Sequence, residues 1–137
     1  TDFQTAFWAA KHDLAVATAA AFSRHGVHQG QQFILRQLWA EDGQTPGEIA
    51  RRLGLATPTV TRAATRMEAA GLLRREPHPG DRRLVRLVLT ERGRSLEDVI
   101  AAETDKLTER ALVTFGPAER EAVIRALAAI RRNLTGP

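Results

Sequence analysis

Apolar positions along the chain fall into stretches of helical period, interrupted once by a short Val/Leu-rich run. From Asp2 to about Arg24, Phe3, Phe7, Ala10, Leu14, Ala17 and Ala21 recur at alternating spacings of 4 and 3, a heptad-like seam that predicts a long helix. Near the middle, Thr45-Pro46-Gly47-Glu48 precedes Ile49-Ala50-Arg51-Arg52-Leu53. Thr45 is placed to cap a helix, Pro46 suits its first position, Glu48 closes a capping box and Gly54 stops it. After Leu55 and Ala56, Thr57 is expected to cap again, with Pro58 opening a second helix that runs to a stop at Gly71. Two short helices this close must cross steeply, as in a helix-turn-helix. Two apolar segments follow, Leu72–Pro77 and Leu84–Thr90, joined by the Pro- and Gly-punctuated His78–Arg83; this pattern predicts a hairpin. Beyond Thr90, read as a cap, a long helix is predicted to about Thr114, with Leu96, Ile100, Leu107 and Ala111 among its apolar positions. Phe115-Gly116 breaks it, and Pro117 opens a last helix carrying Val123, Leu127, Ile130 and Leu134. The order is that of a winged helix-turn-helix: mainly α with a small β-hairpin wing, its core flanked by N- and C-terminal helices.

The second short helix divides into two faces. Val60, Ala63, Ala64 and Met67 form a small apolar stripe, while Thr59, Arg62 and Arg66 share another face, with Thr61 and Thr65 beside them. Hydroxyls and guanidiniums on one face match the hydrogen-bonding edges of duplex DNA: Arg suits guanine O6 and N7, and the Thr methyl suits a thymine methyl. By itself this face is equally a solvated surface, because exposed Arg is common on helices. In the hairpin loop, Asp81 stands beside Arg82 and Arg83. A carboxylate there is placed to pair with Arg83 and hold its guanidinium extended, a shape suited to the minor groove, where narrow A·T-rich stretches carry enhanced negative potential. Taken alone, that loop is a polar turn with a surface ion pair of little energetic weight.

Charge joins the two. The net charge of +4 conceals an asymmetry: Pro46 to Ser95 holds eleven Arg and five acidic residues, a local charge of +6, and the remainder carries −2. The basic charge is concentrated on the helix-turn-helix and hairpin, as a nucleic-acid binder requires. At 137 residues, with 43% hydrophobic and 26% charged residues, the chain is expected to form one domain, 1–137. Residues 29–95 are read as the winged helix, with 1–28 and 96–137 as helices of a dimer interface. No stretch approaches 18 apolar residues and no charged-then-apolar leader opens the sequence, so a cytoplasmic protein without a membrane partner is expected. Opening at Thr1 rather than Met, the sequence is expected to lack a few native residues.

The run from Leu38 to Thr90 resembles the MarR family of bacterial transcription regulators. The resemblance is carried by Thr45 through Leu55, Thr57-Pro58-Thr59-Val60-Thr61-Arg62, Glu68-Ala69-Ala70-Gly71-Leu72-Leu73-Arg74-Arg75, and Asp81-Arg82-Arg83 leading to Leu89-Thr90. The helix-turn-helix alone would fit several winged-helix families; the Asp-Arg-Arg wing at this distance, with long helices on both sides, narrows the choice. The resemblance implies a homodimer whose first and last helices intertwine. It also implies a repressor released from a pseudo-palindromic operator by a small aromatic or phenolic ligand held between the dimerisation helices and the winged helix. On double-stranded DNA, Thr57, Thr59, Thr61, Thr65, Arg62 and Arg66 are expected at the major groove and Arg83, oriented by Asp81, in the minor groove. Arg51, Arg74 and Arg82 are expected at phosphates. A two-fold dimer places its reading helices about 34–36 Å apart.

For the ligand, Trp8, His12, His28, Phe33 and Arg36 are the candidate lining residues, with His25 and Trp39 nearby in the sequence. An aromatic wall with a cationic or imidazole group suits a planar anion. Residue type favours the alternative that Trp8, Phe33 and Trp39 are core, and His25 and His28 flank Gly26 in a connection where solvated His is ordinary. The absence of Cys excludes disulfides, Cys-based zinc sites and thiol sensing. No Gly-rich phosphate loop or metal-binding His spacing is present, and adjacent His12 and Asp13 on a helix point about 100° apart. Neither an enzyme nor a cofactor is therefore expected. A winged helix used only for protein contact is the competing function; it predicts apolar residues on the exposed face of the second short helix, where this chain has Thr and Arg.

Overall fold

In the computed structural model, which describes residues 1–137, eight elements follow in order: α1 (Phe3–Ser23), α2 (Gln31–Ala40), α3 (Pro46–Leu53), α4 (Thr57–Ala69), β1 (Leu73–His78), β2 (Asp81–Leu89), α5 (Glu91–Ala111) and α6 (Pro117–Thr135). Caps account for most boundaries. Asp2 accepts the Thr5 amide at the start of α1, and Thr45 accepts the Glu48 amide at the start of α3 with Pro46 in the first turn. Gly54 ends α3 at φ +69°, a left-handed conformation that costs glycine little. Thr57 does not cap as expected: Ala56 holds the extended N-cap position of α4 with no side-chain cap, and Thr57 is already helical. Pro58 then falls in the first turn, where its missing N–H costs nothing. The long helix also stops sooner than predicted, at Ala111 rather than near Thr114.

The chain divides into two compact units, Thr1–Thr104 and Asp105–Pro137. In the first, one apolar core forms beneath the helix-turn-helix. Ile49 from α3, Val60, Ala64 and Met67 from α4, and Leu35 and Leu38 from α2 are buried with Leu72, Leu73 and Leu87 of the hairpin. β1 and β2 are antiparallel, with Leu73 opposite Leu89 and Glu76 opposite Arg86, and the register shifts at Pro77/His78. Gly43 and Gln44 extend the hairpin's base: Leu87 donates to the Gln44 carbonyl at 2.8 Å and accepts from Gly43 at 3.0 Å. The buried Gln44 amide donates to the Gln37 and Glu41 carbonyls at the end of α2, both at 2.8 Å. Glu41 is the C-cap of α2, and Gln37, in the last turn, also accepts the Glu41 amide at 2.9 Å, so the Gln44 amide completes the helix end.

The start of α5 is tied to this core by a dense joint. Thr90 donates its hydroxyl to the Gly71 carbonyl at 2.6 Å and accepts the Gly93 amide at 3.1 Å, confirming it as the cap. Trp39 Nε1 donates to the Gly93 carbonyl at 2.9 Å, so its indole joins α2 to α5.

In the second unit, Arg120 draws the turn before α6 together. Its guanidinium donates to Glu109 at 2.8 Å and to the Leu112 and Phe115 carbonyls at 3.1 and 3.2 Å. α6 buries no residue, and Ile124, Leu127 and Leu134 are exposed. On α1 of the first unit, Phe3, Trp8, Leu14 and Val16 are likewise exposed. Trp8 and Phe33, with side chains suited to a core, are therefore not core residues in the single chain.

Gly93 supplies a test of the joint. Replacing a helical Gly with Ala ordinarily stabilises by about 1 kcal/mol. Here the added Cβ would overlap the Leu72 carbonyl oxygen and approach Leu89. Gly93→Ala is expected to destabilise the fold by about 1–3 kcal/mol, the usual cost of overpacking, read from the midpoint of urea unfolding. A midpoint that rises would show that the joint yields freely.

Candidate nucleic-acid interface

The apolar stripe of α4 is buried, so the opposite face is forced outward. Thr57, Thr59, Thr61, Arg62, Thr65 and Arg66 are all exposed, as the sequence pattern requires. Thr61 and Thr65 donate their hydroxyl protons to the carbonyls of Thr57 and Thr61, both at 3.1 Å. Each hydroxyl has one proton, so both oxygens are left as acceptors, and that of Thr65 already takes a bond from Arg75. Arg62 reaches Thr59 Oγ1 at 3.5 Å, the outer limit of a hydrogen bond, and otherwise projects into solvent.

At the wing, the expected pairing is present in full. Asp81 accepts the Arg83 amide at 3.0 Å and Arg83 Nε at 3.1 Å on one oxygen, and Arg83 Nη2 at 3.0 Å on the other. The Arg83 side chain remains 89% exposed, against 32% for Asp81. The carboxylate therefore holds the guanidinium without covering it. These hydrogen bonds depress the Asp81 pKa, the side-chain bond first, and raise that of Arg83. The isolated pair contributes little to stability; its effect is to reduce the side-chain freedom that Arg83 would lose on meeting a ligand. Arg82 is exposed beside it, and His78 accepts the Gly80 amide at 3.0 Å to shape the loop tip.

Between wing and helices lies a concave surface of about 530 Å³, lined in part by Arg51, Thr57, Thr61, Arg75 and Arg83, with apolar Leu84 and Val85 on the wing side. The fold thus brings Arg51 of α3, two threonines of α4 and Arg83 of the wing to one surface. Arg62 and Arg66 lie outside that lining on the exposed α4 face, and Arg74 is on β1, 3.5 Å from Glu76.

Arg75 and Glu68 are the site residues that sequence reasoning did not single out. Glu68 accepts the Arg75 amide at 2.9 Å and its Nε at 3.0 Å, while Arg75 Nη1 donates to Thr65 Oγ1 at 3.1 Å. One carboxylate on α4 thereby anchors the first residues of the wing. Their seven-residue separation spans the turn at Gly71, so no helical or strand spacing reveals the pair.

The ligand candidates are dispersed. A second concavity, about 420 Å³, is lined by residues of α1 and the start of α2, among them Lys11, Leu14, Phe22, Gln32 and Phe33. Of the five candidates only Phe33 is in that lining. Trp8 sits 4.8 Å from Lys11 Nζ, ring centroid to nitrogen, with its indole N–H on Gln4 at 2.9 Å. His12, His28 and Arg36 are exposed outside it. His25 is not simply solvated: its ring pairs with Glu103 at 3.3 Å. The sequence did not single out Lys11, a lone cation at ordinary helical exposure.

Two short helices at a tight turn, an arginine-tipped hairpin and a basic outer face define a winged helix-turn-helix. The sequence model of the MarR family matches residues 27–85. The HTH-type transcriptional regulator TtmR of Methylorubrum extorquens (strain PA1) is 33% identical over 129 residues, covering 94% of this chain and 65% of that protein. The chain thus spans just under two thirds of that relative's length. Among solved structures, YusO from Bacillus subtilis matches with a TM-score of 0.79 at 24% identity, covering 96% of this chain and 93% of that one. A MarR family transcriptional regulator from Listeria monocytogenes, crystallised with a 26-mer DNA, matches with a TM-score of 0.74 at 22% identity over 98% of this chain and 89% of that one. The winged helix of this chain is thus similar in sequence to the MarR family, and the fold is that of the MarR-type regulators it matches.

The Glu68 tie has a pH signature. Its pKa is depressed, first by the Arg75 amide and then by the Arg75 side chain. A depressed carboxylate contributes stability above its unfolded pKa and loses it as pH falls through the folded one. The Glu68 carboxyl resonance is therefore expected to titrate below the ordinary glutamate range, with the Arg75 amide shift following it. Titration at or above the ordinary value would rule the tie out in solution.

Proposed function

We propose that the chain forms a homodimeric, sequence-specific DNA-binding transcription regulator, a repressor released from its operator by a small aromatic or phenolic ligand. The observation that carries DNA reading is the surface shared by α4 and the wing. An exposed Thr/Arg helix face stands beside a guanidinium held extended by its own carboxylate. A face of this kind suits base edges and phosphates and is poorly suited to an apolar protein partner. Thr57, Thr59, Thr61, Thr65, Arg62 and Arg66 would meet the major groove, and Arg83 the minor groove with Asp81 orienting it. Arg51, Arg74 and Arg82 would neutralise phosphates.

Dimerisation through 1–28 and 96–137 is supported by the exposed apolar side chains of α1 and α6, which no part of their own units covers. Large exposed apolar groups on an amphipathic helix mark an interaction surface, and two-fold dimers are the commonest oligomers. For the effector, the α1–α2 concavity combines an aromatic ring, Phe33, with a cation, Lys11. That chemistry fits a planar anion better than the dispersed histidines do.

Selection of bound duplexes from a random DNA pool at physiological salt tests the reading. A pseudo-palindrome with half-site centres about one turn apart is expected; salt-sensitive binding without a motif would leave only non-specific affinity. On the selected duplex, Arg62→Ala should cost about 1–3 kcal/mol and relax preference at one position. Arg82→Ala should weaken binding evenly and lower the salt slope by about one ion. Equal losses on all sequences for Arg62→Ala would remove it from base reading. With hydroxybenzoates as probes, Phe33→Ala is expected to abolish ligand-induced release while leaving DNA affinity intact. Unaltered release would move the ligand elsewhere.

A further inference from the structure

Arg92 belongs to the basic stretch, yet its guanidinium is directed at the protein. It stands in the first turn of α5, and Nη1 donates to the carbonyl of Ala70, the C-cap of α4, at 2.6 Å. Nη2 reaches the His25 carbonyl at 3.5 Å, in the turn between α1 and α2. The next residue, Gly26, has φ +78°, and a Cβ there would lie 2.7 Å from Arg92 Nη2. Glycine at this position therefore leaves room for the guanidinium as well as satisfying the backbone. On its other side the turn is pinned to α5: the His25 ring meets Glu103 Oε1 at 3.3 Å, and Arg24 meets Glu103 Oε2 at 3.1 Å. Glu103 itself is buried.

We propose that Arg92 is a positioning residue for DNA reading, holding the C-terminal end of α4 against the α1–α2 turn and so setting the pose in which Arg62 and Arg66 meet the bases. The proposal rests on the DNA-reading function above. The physical case has three parts. The last carbonyls of a helix lack partners, and a cation beside them also opposes the negative end of the helix dipole. The N-terminal end of α4 has no side-chain cap, so it lacks an equivalent restraint. Base reading demands side chains placed within about 0.5 Å and 10–20° of their working geometry. A tilt at Ala70 is transmitted directly to Arg66, whose carbonyl accepts the Ala70 amide at 3.0 Å one turn earlier.

The test compares wild type, Arg92→Ala, Arg92→Lys and Arg82→Ala as full-length dimers, on the selected duplex and on a scrambled duplex of the same length, across a salt series. Loss of a charge-assisted hydrogen bond sets the expected scale: Arg92→Ala should weaken binding to the selected duplex by about tenfold. Its affinity for the scrambled duplex should stay within about twofold, with the salt slope unchanged, because Arg92 releases no counterion. Arg82→Ala should show the opposite pattern, an even loss with a reduced slope. Arg92→Lys keeps the charge but not the fork that spans two carbonyls, and should fall between wild type and Arg92→Ala. It also carries the test if the alanine variant does not fold, since amide exchange in the Arg66–Ala70 turn should then be faster than in wild type. Unchanged affinity for the selected duplex, or Arg92→Lys exchange equal to wild type, would overturn the proposal. So would an even loss with a lower slope, which would make Arg92 a phosphate contact. A wild-type protein that does not distinguish the two duplexes would instead sink the DNA-reading function itself.

Discussion

The arrangement of the first unit depends on the joint at Gly71-Leu72, Thr90 and Gly93. Thr90 binds the Gly71 carbonyl through its hydroxyl and the Leu72 carbonyl through its amide, and the same hydroxyl caps α5 by accepting from Gly93. Trp39 closes the joint from α2. Four segments meet here: the end of α4, the base of the hairpin, the start of α5 and α2. Polar groups that meet this closely must all be paired, so the angle between the reading helix and the wing is set by hydrogen-bond geometry as well as by packing.

Around that joint, guanidiniums are used in two ways. Arg75 and Arg92, though exposed, are bonded within the protein, onto Glu68 and onto backbone carbonyls, where they fix one element against another. Arg62, Arg66 and Arg82 are exposed and tie no second element to their own, and Arg83 is held by Asp81 while its guanidinium faces solvent. Net charge alone does not separate these groups. An arginine paired within the protein gives up little counterion on contact with DNA, so the basic surface that matters is smaller than the composition suggests.

The apolar faces of α1 and α6 follow from the size of the core. The helix-turn-helix and hairpin are short and bury their own stripes; they leave no apolar area to cover Phe3, Leu14, Ile124 or Leu134. A helix with large exposed apolar groups is a surface awaiting a partner, and α1 and α6 each carry such groups.

Much of this was determined by the sequence alone. The caps at Thr45 and Thr90, the stops at Gly54 and Gly71, the two-faced α4 and the Asp81–Arg83 pair are local features. Each depends on residues within a few positions, where spacing and side-chain chemistry decide the outcome. Thr57 was misread because threonine before proline fits both a cap and a first-turn residue, and the backbone at Ala56 made the choice. The Glu68–Arg75 anchor, the Arg92 bridge and the His25–Glu103 pair belong to the tertiary structure. Their partners lie 7, 22 or 78 positions apart, and meet only once the hairpin and helices are folded against one core. The exposure of Trp8 and Phe33 was decided in the same way. Hydrophobicity states how much a side chain gains from burial, and only the fold determines whether a neighbour is there to bury it.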